Sequence, residues 1–374
     1  MKICSRCVMD TSDSKIQFDD QGVCDHCLTF ENDILPRWNP NGLDSGALEK
    51  LASNIRRQGA NRDFDCIIGM SGGIDSSYLL YLAKEKLGLR PLVFHVDAGW
   101  NSQEAVNNIE RLVDGLGIDL FTEVIDWEEM KDLQLSFIKS GVPHIDTPQD
   151  HAFFATMYKF AAKHSVKYIL TGGNYSTECI RNPLEWMYYQ SDSRQLRDIH
   201  SKFGRIPLKK FPITNILWHK LYLPYIKGIK LIRPLDSMKY NKEEATKLLE
   251  TKFGYQRYHQ KHFESRFTCF YEGYWLPKKF GYDTRKVQFS SLILTGQMSR
   301  KEALEKLKEP AMTSDHIRQE LKYIANKLGI SVVELTGYLE SENKTYRDYK
   351  SQQKMYDIGA KFLRAVGLEK GGKR

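Results

Sequence analysis

A glycine- and serine-rich segment at residues 71–77 has the residue types that bind an anion. It reads Ser-Gly-Gly-Ile-Asp-Ser-Ser and lies between the apolar run 65–70 and a helical pattern that begins at Tyr78. Glycines let backbone N–H groups approach a phosphate, and the start of a helix adds a partial positive charge. This order predicts a phosphate site formed by Ser71, Gly72, Gly73, Asp75, Ser76 and Ser77. The alternative is a Gly-Ser turn with no chemical role.

Asp75 indicates that the phosphate is bound together with a metal ion. A carboxylate would be repelled by a bare phosphate and is expected beside Mg²⁺. The loop has neither the Gly-Lys-Ser/Thr of a Walker A motif nor the Gly-x-Gly-x-x-Gly of a dinucleotide site. It resembles the pyrophosphate-binding loop of the ATP-pyrophosphatase (PP-loop) superfamily. The resemblance implies that ATP is split between its α- and β-phosphates to adenylylate a carbonyl or carboxylate oxygen. ATP and Mg²⁺ are the implied cofactors, with Ser71 and Asp75 as catalytic residues.

The elements that must position this loop are strands and helices in alternation. Apolar segments at 65–70, 91–97, 119–125 and 167–171 predict strands, and 232–236 predicts a last one. We therefore expect an α/β fold of the PP-loop (adenine nucleotide α-hydrolase-like) type, a parallel sheet with helices on both faces. Ligands of such sheets bind beyond the carboxyl ends of the strands. That rule assigns to the nucleotide the residues Asp97, Thr171, Gly172, Gly173 and Asn174.

Glu178 follows the 171–174 turn and is the predicted second carboxylate of the Mg²⁺ site, with a catalytic role. The stretch is similar to the Gly-Asn-x-Ser-Glu of NAD synthetases, although one extra residue intervenes here. Cys179 is adjacent and has two interpretations. It is either a persulfide carrier beside an adenylylating site or a plain buried thiol.

Four of the seven cysteines form two pairs, Cys4-x2-Cys7 and Cys24-x2-Cys27. The spacing fits a zinc ribbon in which four thiolates close a tetrahedral, structural site. Disulfides and a four-thiolate iron site are the alternatives. The absence of a signal peptide and the presence of three further cysteines favour a reducing, cytoplasmic compartment and a metal.

The net charge of +8 is concentrated in the C-terminal third. Residues 238–374 contain 27 Lys and Arg against 17 Asp and Glu, which suits an anionic partner such as a nucleotide, a phosphorylated sugar or an RNA. The same region contains an aromatic and basic stretch that is either a substrate surface or an aromatic core. Its candidate substrate-binding residues are Arg266, Tyr271, Trp275, Lys278 and Arg285.

No run of apolar residues is long enough to predict a membrane span. The most apolar region, 211–232, is interrupted by His219, Pro224 and several lysines. We expect a buried or partner-facing helix there, and a helix on a membrane surface is the alternative.

Four segments describe the expected domain organisation. They are a zinc-ribbon module at 1–36, a linker and helix at 37–62, the PP-loop ATP-binding domain at 63–237, and a basic, aromatic-rich, mostly helical region at 238–374. In the last region, helical patterns at 299–308, 314–328 and 331–339 each begin with a serine.

Taken together, these motifs resemble the N-acetyl sugar amidotransferases of surface-polysaccharide and O-antigen biosynthesis. The shared features are the stretch Cys4–Asp10, the second cysteine pair, the 71–76 loop, the 171–174 turn and the 266–285 segment, in that order. The zinc pattern or the loop alone would be generic, whereas their combination covers nearly the whole chain. Glu178 is the position at which the family pattern transfers least well.

The resemblance implies a reaction. An acetamido oxygen of a sugar, expected to be nucleotide-linked, attacks the α-phosphate of ATP to give an O-adenylyl imidate, which ammonia converts to an acetamidino group. The chain shows no glutaminase motif. The family pairs with a glutaminase subunit and a cyclase-like barrel subunit, and we expect both as partners that supply ammonia.

Two other functions compete with this one. A PP-loop tRNA-modifying enzyme, thiolase-like, would suit the basic C-terminal region, but such enzymes usually carry a catalytic Cys pair. Here Cys66, Cys179 and Cys269 are isolated, so nucleic acid is not the expected partner. A non-enzymatic zinc-ribbon binding module is the third possibility, and it leaves the 71–77 loop without a use.

Overall fold

The centre of the fold is a parallel sheet of five strands in the order β3-β2-β1-β4-β5. This computed structural model describes residues 2–38, 40 and 45–365. The strands are β1 (Cys66–Gly69), β2 (Pro91–Asp97), β3 (Leu120–Val124), β4 (Tyr168–Leu170) and β5 (Lys230–Ile232). The predicted α/β architecture is confirmed: a parallel sheet surrounded by helices, a helical C-terminal region and an N-terminal four-cysteine cluster.

The last strand is displaced from its predicted position at 232–236. It ends at Ile232, and Pro234–Ser237 form a 3-10 turn instead. Proline has no N–H to donate to a sheet ladder, so a strand cannot continue comfortably through Pro234. The shift matters because Arg233 and Asp236 then turn towards the end of β4.

In the described ranges 2–38, 40 and 45–365, seventeen α-helices surround or extend the sheet. In the N-terminal module and around the sheet they are α1 (Asp25–Thr29), α2 (Leu35–Trp38), α3 (Ser45–Gly59), α4 (Ile74–Tyr81), α5 (Gln103–Leu116), α6 (Trp127–Ser140), α7 (Thr147–Lys163), α8 (Tyr175–Glu178) and α9 (Ser193–Phe203). In the C-terminal region they are α10 (Lys242–Phe253), α11 (Arg266–Phe270), α12 (Leu276–Phe280), α13 (Arg285–Leu294), α14 (Arg300–Lys308), α15 (Ser314–Leu328), α16 (Val332–Glu340) and α17 (Gln353–Ala365).

Wider π-helical turns and short 3-10 turns complete the helical structure. The π-helical segments are Phe30–Ile34, Leu82–Lys86, Trp218–Ile226 and Tyr271–Trp275, and a second 3-10 turn spans Tyr346–Asp348. Polar side chains fix many helix starts. Ser299 and Ser331 cap α14 and α16 as the sequence indicates, whereas Thr313 rather than Ser314 caps α15.

The two faces of the sheet are covered by different parts of the chain. Ile67 and Phe94 point to one face, where they join a core that includes Phe267 and Phe270 of α11. Alternate residues such as Ile68 point to the opposite face, towards α3, α4, α5 and α10. The C-terminal region therefore shares its core with the sheet. Edge strand β3 is exposed along its whole length.

The N-terminal module, residues 2–38, is held against the C-terminal helices. The guanidinium of Arg300 donates to the carbonyls of Cys4 and Cys7 at 2.8 and 3.0 Å. Lys286 pairs with the buried Asp10 at 2.6 Å, and the N–H of Val8 donates to Ser290. A metal bound by the four cysteines would therefore stabilise this docked arrangement as well as the module itself.

The apolar region 211–232, for which we expected a buried or partner-facing helix, forms a helical segment that is buried on one side only. It contains the π-helical segment Trp218–Ile226, whose Leu223 is buried while Leu221, Tyr225 and Ile226 face outward. Among the helices of the described residues, none is long and apolar enough to cross a bilayer.

Candidate active site

The 71–77 loop forms a cradle between the end of β1 and the start of α4. Gly72 has a φ of +84°, a left-handed conformation that glycine adopts without strain. A Cβ at that position would also lie 2.9 Å from the carbonyl oxygen of Ala105 in α5. Gly73 is the N-cap residue of α4, and no side chain of the described residues caps the first turn. The free N–H groups of that turn are therefore oriented to receive an anion.

Two tyrosines of the C-terminal region, which the sequence analysis did not single out, contact the cradle. The hydroxyls of Tyr255 and Tyr258 donate to the carbonyl oxygen of Gly72 at 3.2 and 3.1 Å. On the other side, His95 Nδ1 donates to the carbonyl oxygen of Met70 at 2.9 Å. These contacts direct the loop carbonyls away from the cradle.

Asp75 lies on the first turn of α4 with a cationic and a phenolic partner. The hydroxyl of Tyr240 donates to its Oδ1 at 2.7 Å, and Lys261 Nζ is 3.4 Å from its Oδ2. Burial disfavours the charged carboxylate, but Lys261, Lys242 and the Tyr240 hydrogen bond together hold the pKa of Asp75 below its ordinary value. These partners therefore favour the ionised form of the Asp75 carboxylate beside the cradle.

Lys261 also contacts Glu178, so its ammonium group bridges the two carboxylates that the sequence assigns to Mg²⁺. Burial opposes its charge, but Glu178 and Asp75 raise the pKa of Lys261 above its usual range. The structure thus brings Asp75 and Glu178 around one cation. A carboxylate pair converging in this way is a suitable donor set for Mg²⁺.

Glu264 is a third carboxylate at the loop, and sequence reasoning missed it. Ser71 Oγ lies 3.4 Å from its Oε1, and a Cβ at Gly73 would meet the same oxygen at 2.6 Å. Lys261 and Glu264 belong to one turn, residues 261–265, which we call the strap. The strap places the charges of Lys261 and Glu264 at the phosphate cradle, although Glu264 is 193 residues from Ser71 in sequence.

The strap is held in an uncommon conformation. His262 has a φ of +68°, which is costly for a residue with a Cβ and persists only where the surroundings enforce it. Its Nδ1 lies 2.9 Å from Glu272, and Glu272 raises the pKa of His262 to about 9 against the opposing effect of burial. The ion pair of His262 with Glu272 fixes the middle of the strap.

A buried polar network anchors the other end of the strap. Gln149 exchanges hydrogen bonds with Ser265 at 3.2 Å and also contacts Asp146. Thr268 Oγ1 donates to Asp146 at 2.6 Å. Burial and the neighbouring Asp150 raise the pKa of Asp146 to about 7. The start of α7 is thereby tied to the strap.

The 171–174 turn packs directly against the loop. A Cβ at Gly172 would lie 2.7 Å from backbone atoms of Asp75 and Ser76, so glycine allows this approach. Asn174 caps α8 by accepting from the N–H of Thr177, and Thr171 accepts from the N–H of Gly173. Arg233, displaced from the predicted strand, donates to the carbonyl oxygen of Gly173 at 3.0 Å.

The remaining predicted nucleotide residues differ in their orientation. The hydroxyls of Ser71 and Ser76 lie 3.3 Å apart at the cradle. Ser77 is fully buried, and its hydroxyl points back to the sulfur of Met70. At the end of β2, Asp97 accepts from the N–H of Gly99 at 2.7 Å.

Most of the five predicted substrate residues have internal partners. Arg266 pairs with Glu320 and stacks on Tyr323, while Arg285 pairs with Asp283 and donates to the carbonyl of Glu309. Tyr271 and Trp275 are buried in the aromatic core. Lys278 lines a surface depression together with Tyr274, Lys279 and Leu339. Their placement fits the aromatic-core interpretation that the sequence left open.

The four cysteine sulfurs of the N-terminal module converge within 4.8 Å of one another. Neighbouring sulfurs lie 3.6 to 3.9 Å apart, and all four thiols are buried and unbridged. Tetrahedral thiolate ligands at about 2.3 Å from zinc have sulfur separations of about 3.8 Å. Cys4, Cys7, Cys24 and Cys27 therefore fit a closed zinc site.

The other three cysteines are isolated buried thiols. The thiol of Cys179 lies 3.7 Å from the carbonyl oxygen of Ser291, and burial raises the pKa of Cys179 to about 12. Burial likewise raises the pKa of Cys269 to about 12 and that of Cys66 well above its usual range. A reactive sulfur carrier needs thiolate character and exposure, which none of them has.

Comparisons with known proteins give two family matches. Residues 47–173, which include the loop, match the asparagine synthase family, and residues 264–363 match the family described as LPS biosynthesis protein WbpG-like, C-terminal domain. The first match supports an ATP-using domain of the PP-loop kind. Together they confirm the resemblance to PP-loop ATP-using proteins and to lipopolysaccharide-biosynthesis proteins, and they support a sugar-related amidotransferase family.

Two individual proteins are also similar. An uncharacterized protein of Methanocaldococcus jannaschii is 24% identical over 327 residues, which cover 85% of this chain and 97% of that protein. The solved structure of NMN synthetase from Francisella tularensis aligns with 80% of this chain and 98% of its own, at 14% identity and a TM-score of 0.32. At that TM-score the likeness says nothing further about this protein.

The close approach of Gly172 to the loop predicts the effect of a single methyl group. We expect Gly172→Ala to weaken Mg-ATP binding by about tenfold or more, because the added Cβ must push the first turn of α4 out of position. Calorimetric titration with Mg-ATP measures the effect. Gly337→Ala is the matched control, since its Cβ meets nothing within 4 Å. Equal ATP affinity in both variants would contradict the packing role.

The cysteine cluster predicts a metal-dependent stability. We expect Cys4→Ser to lose most of its bound zinc and to unfold at a lower temperature, because three thiolates close the site poorly. Elemental analysis and thermal unfolding give the two readouts. Cys269→Ser removes a buried thiol outside the cluster and should keep the metal. A zinc-free Cys4→Ser protein of normal stability would rule out a structural metal.

Proposed function

We propose that this chain, which joins an asparagine-synthase-like region to a WbpG-like C-terminal region, is an ATP-dependent amidotransferase. Its substrate would be an acetamido sugar, expected to be nucleotide-linked, whose acetamido group becomes an acetamidino group. The observation that carries the proposal is the meeting of the phosphate cradle with the strap. Asp75 of the loop and Lys261 of the strap form one ion pair, and Glu264 begins the WbpG-like region.

The loop accounts for pyrophosphate departure. The first-turn N–H groups of α4 and the hydroxyls of Ser71 and Ser76 would hold the β- and γ-phosphates of ATP. The Lys261 ammonium group, charged because two carboxylates flank it, would stabilise the negative charge that develops as pyrophosphate leaves. Asp97 and the 171–174 turn would border the remainder of the nucleotide at the same sheet edge.

A magnesium ion fits the same arrangement. Asp75 and Glu178, with Glu264 nearby, are the residues that would hold it. When bound, Mg²⁺ would neutralise phosphate charge and favour pyrophosphate as a leaving group.

Activation by ATP is chemically necessary because an amide carbon is a poor electrophile. The acetamido oxygen forms a bond to the α-phosphorus while the bond from that phosphorus to the bridging oxygen of pyrophosphate breaks. Ammonia adds to the imidate carbon of the O-adenylyl intermediate and gives up a proton. AMP then leaves with the former acetamido oxygen. The protein's contribution is positioning and charge stabilisation.

Further parts of the proposal concern metal and partners. Zinc in the four-cysteine cluster would be structural, because cysteines fill all four ligand positions. Ammonia would come from a glutaminase subunit through a cyclase-like barrel subunit, in the cytoplasm. The main alternative, a thiolase-like tRNA-modifying enzyme, is weakened by the burial of Cys66, Cys179 and Cys269. A non-enzymatic binding module would have no need of the cradle.

The decisive experiment measures AMP and pyrophosphate release from Mg-ATP with ammonium. The acceptors are a panel of acetamido sugar nucleotides and, in parallel, bulk tRNA. We expect AMP to depend on one of the sugars and to accompany a product in which NH has replaced O, identified by mass spectrometry. AMP that depends only on tRNA would establish RNA modification instead. A protein that does not bind ATP would support the binding-module interpretation.

Two variants test the residue roles in the same assay. Asp75→Asn keeps the shape of the side chain but removes its charge, so we expect AMP formation to fall by about 100-fold or more. Cys179→Ser should keep its activity, because the thiol is buried and protonated. Retained turnover in Asp75→Asn would remove Asp75 from the mechanism, and complete loss in Cys179→Ser would favour sulfur transfer.

A further inference from the structure

The segment from Leu217 to Ile226 exposes an unusual amount of apolar surface. Leu217 and Leu221 are 51% and 54% exposed, and Tyr225 and Ile226 are 76% and 73% exposed. On the inner side Leu223 is only 4% exposed and packs into the core. Single exposed apolar residues are ordinary on protein surfaces, but four on one helical segment indicate an interaction site.

The outward residues are spaced so that they share a side of the helix. Leu217, Leu221 and Tyr225 follow one another at intervals of four residues, and Ile226 is adjacent to the last of them. Tyr222 stacks on Trp218, with ring centroids 5.9 Å apart, at the base of this side. We call these outward residues, together with Tyr222, the outer face. Leu231 on edge strand β5, 51% exposed, adds to the apolar surface of the region.

The chain segment that contains the outer face is rich in basic residues, although Lys202, Lys210 and Arg233 pair with Asp198, Asp126 and Asp236. From Ile199 to Leu235 the sequence contains no Asp or Glu, whereas it contains eight basic residues. These are Lys202, Arg205, Lys209, Lys210, Lys220, Lys227, Lys230 and Arg233. Within the described part of the chain, no carboxylate forms an ion pair with Lys220, Lys227 or Lys230. These three lysines lie on or directly after the helix and remain available to an external anion.

We propose that the outer face binds the surface of an anionic phospholipid bilayer. A short helix with leucine, isoleucine and tyrosine on one side and lysines at its flanks suits the headgroup boundary, where apolar side chains enter the acyl region. Lysine stems lie along apolar surface while their ammonium groups reach the lipid phosphates. The ammonium groups of Lys220, Lys227 and Lys230 supply attraction to an anionic surface.

The arrangement favours a bilayer over a protein partner. The exposed apolar residues lie on a helical segment and on an edge strand, and the lysines beside them match an anionic lipid surface. The helical segment has nine residues, one of which is Pro224. It is long enough to lie in the headgroup interface but too short to cross the bilayer. The proposal stands independently of the amidotransferase reaction.

Docking in this way would bring the nucleotide site near the bilayer. Ile232 at the end of β5 accepts a backbone hydrogen bond from Thr171, and Arg233 reaches the carbonyl oxygen of Gly173. One strand therefore joins the outer face to the turn that packs against the phosphate cradle.

Vesicle flotation of the full chain tests the proposal. The vesicles are phosphatidylcholine alone, or an equal mixture of phosphatidylcholine and phosphatidylglycerol. We expect binding to the anionic vesicles at low salt, several-fold weaker binding to the neutral ones, and loss of binding at high salt as the charges are screened. Absence of binding to the anionic vesicles would overturn the proposal.

A pair of double variants separates the outer face from general charge. We expect Tyr225→Glu with Ile226→Glu to reduce the vesicle-bound fraction about fivefold or more, since both side chains leave the acyl region. The control is Val333→Glu with Ile358→Glu, which changes the net charge equally at sites that are 81% and 67% exposed. Equal losses in the two double variants would contradict a role for the outer face.

Two further measurements keep the outcomes distinct. Thermal unfolding shows whether each variant is folded, and Lys220→Gln with Lys227→Gln provides a second, milder test that should also weaken vesicle binding. Light scattering of the free protein reports its oligomeric state. A wild-type oligomer that Tyr225→Glu with Ile226→Glu dissociates, without vesicle binding, would replace the bilayer by a second copy of this chain and refute the proposal.

Discussion

The ion pair of Asp75 with Lys261 is the interaction on which the arrangement of the site depends. A carboxylate placed at the first turn of α4, in a largely buried position, needs a counter-charge, because isolated buried charges are very costly. Among the described residues, no lysine or arginine of the sheet region forms an ion pair with Asp75. The C-terminal region supplies Lys261, and the two parts of the chain are thereby joined at the phosphate cradle.

Several features follow from that requirement. The strap must bring Lys261 across to the loop, and it does so through the left-handed His262, which Glu272 holds in place. Its far end is fixed by Ser265 and the Asp146 network, while the tyrosine hydroxyls of 255 and 258 hold Gly72. The N-terminal module contacts α13 and α14 through Val8 and Cys7. The site is therefore built jointly by the sheet, the strap and the helices behind it.

Sequence reasoning succeeded where the chemistry is local. The strands β1 and β2, the 71–77 loop and the cysteine pairs each follow from neighbouring residues, since apolar runs, glycines and short spacings act over a few positions. It failed where distant segments meet. Lys261 and Glu264 are ordinary charged residues in sequence, and only folding reveals that they reach the loop. For Arg266, Tyr271 and Trp275 the sequence left a substrate surface and an aromatic core both open, because aromatic and basic residues occur in both, and the structure places Tyr271 and Trp275 in the core.

The distance between the strap and the loop has a consequence for synthesis. The Ser71–Glu264 contact spans 193 residues, and Tyr240 lies 165 residues after Asp75. As the chain leaves the ribosome, strands β1 to β4 emerge well before Lys261, the cation that pairs with Asp75. Until Lys261 is synthesised, the Asp75 carboxylate lacks this ammonium partner and remains solvated, so the cradle is completed late. A chain interrupted before residue 261 would resemble the ATP-using domain in outline and yet lack its cation.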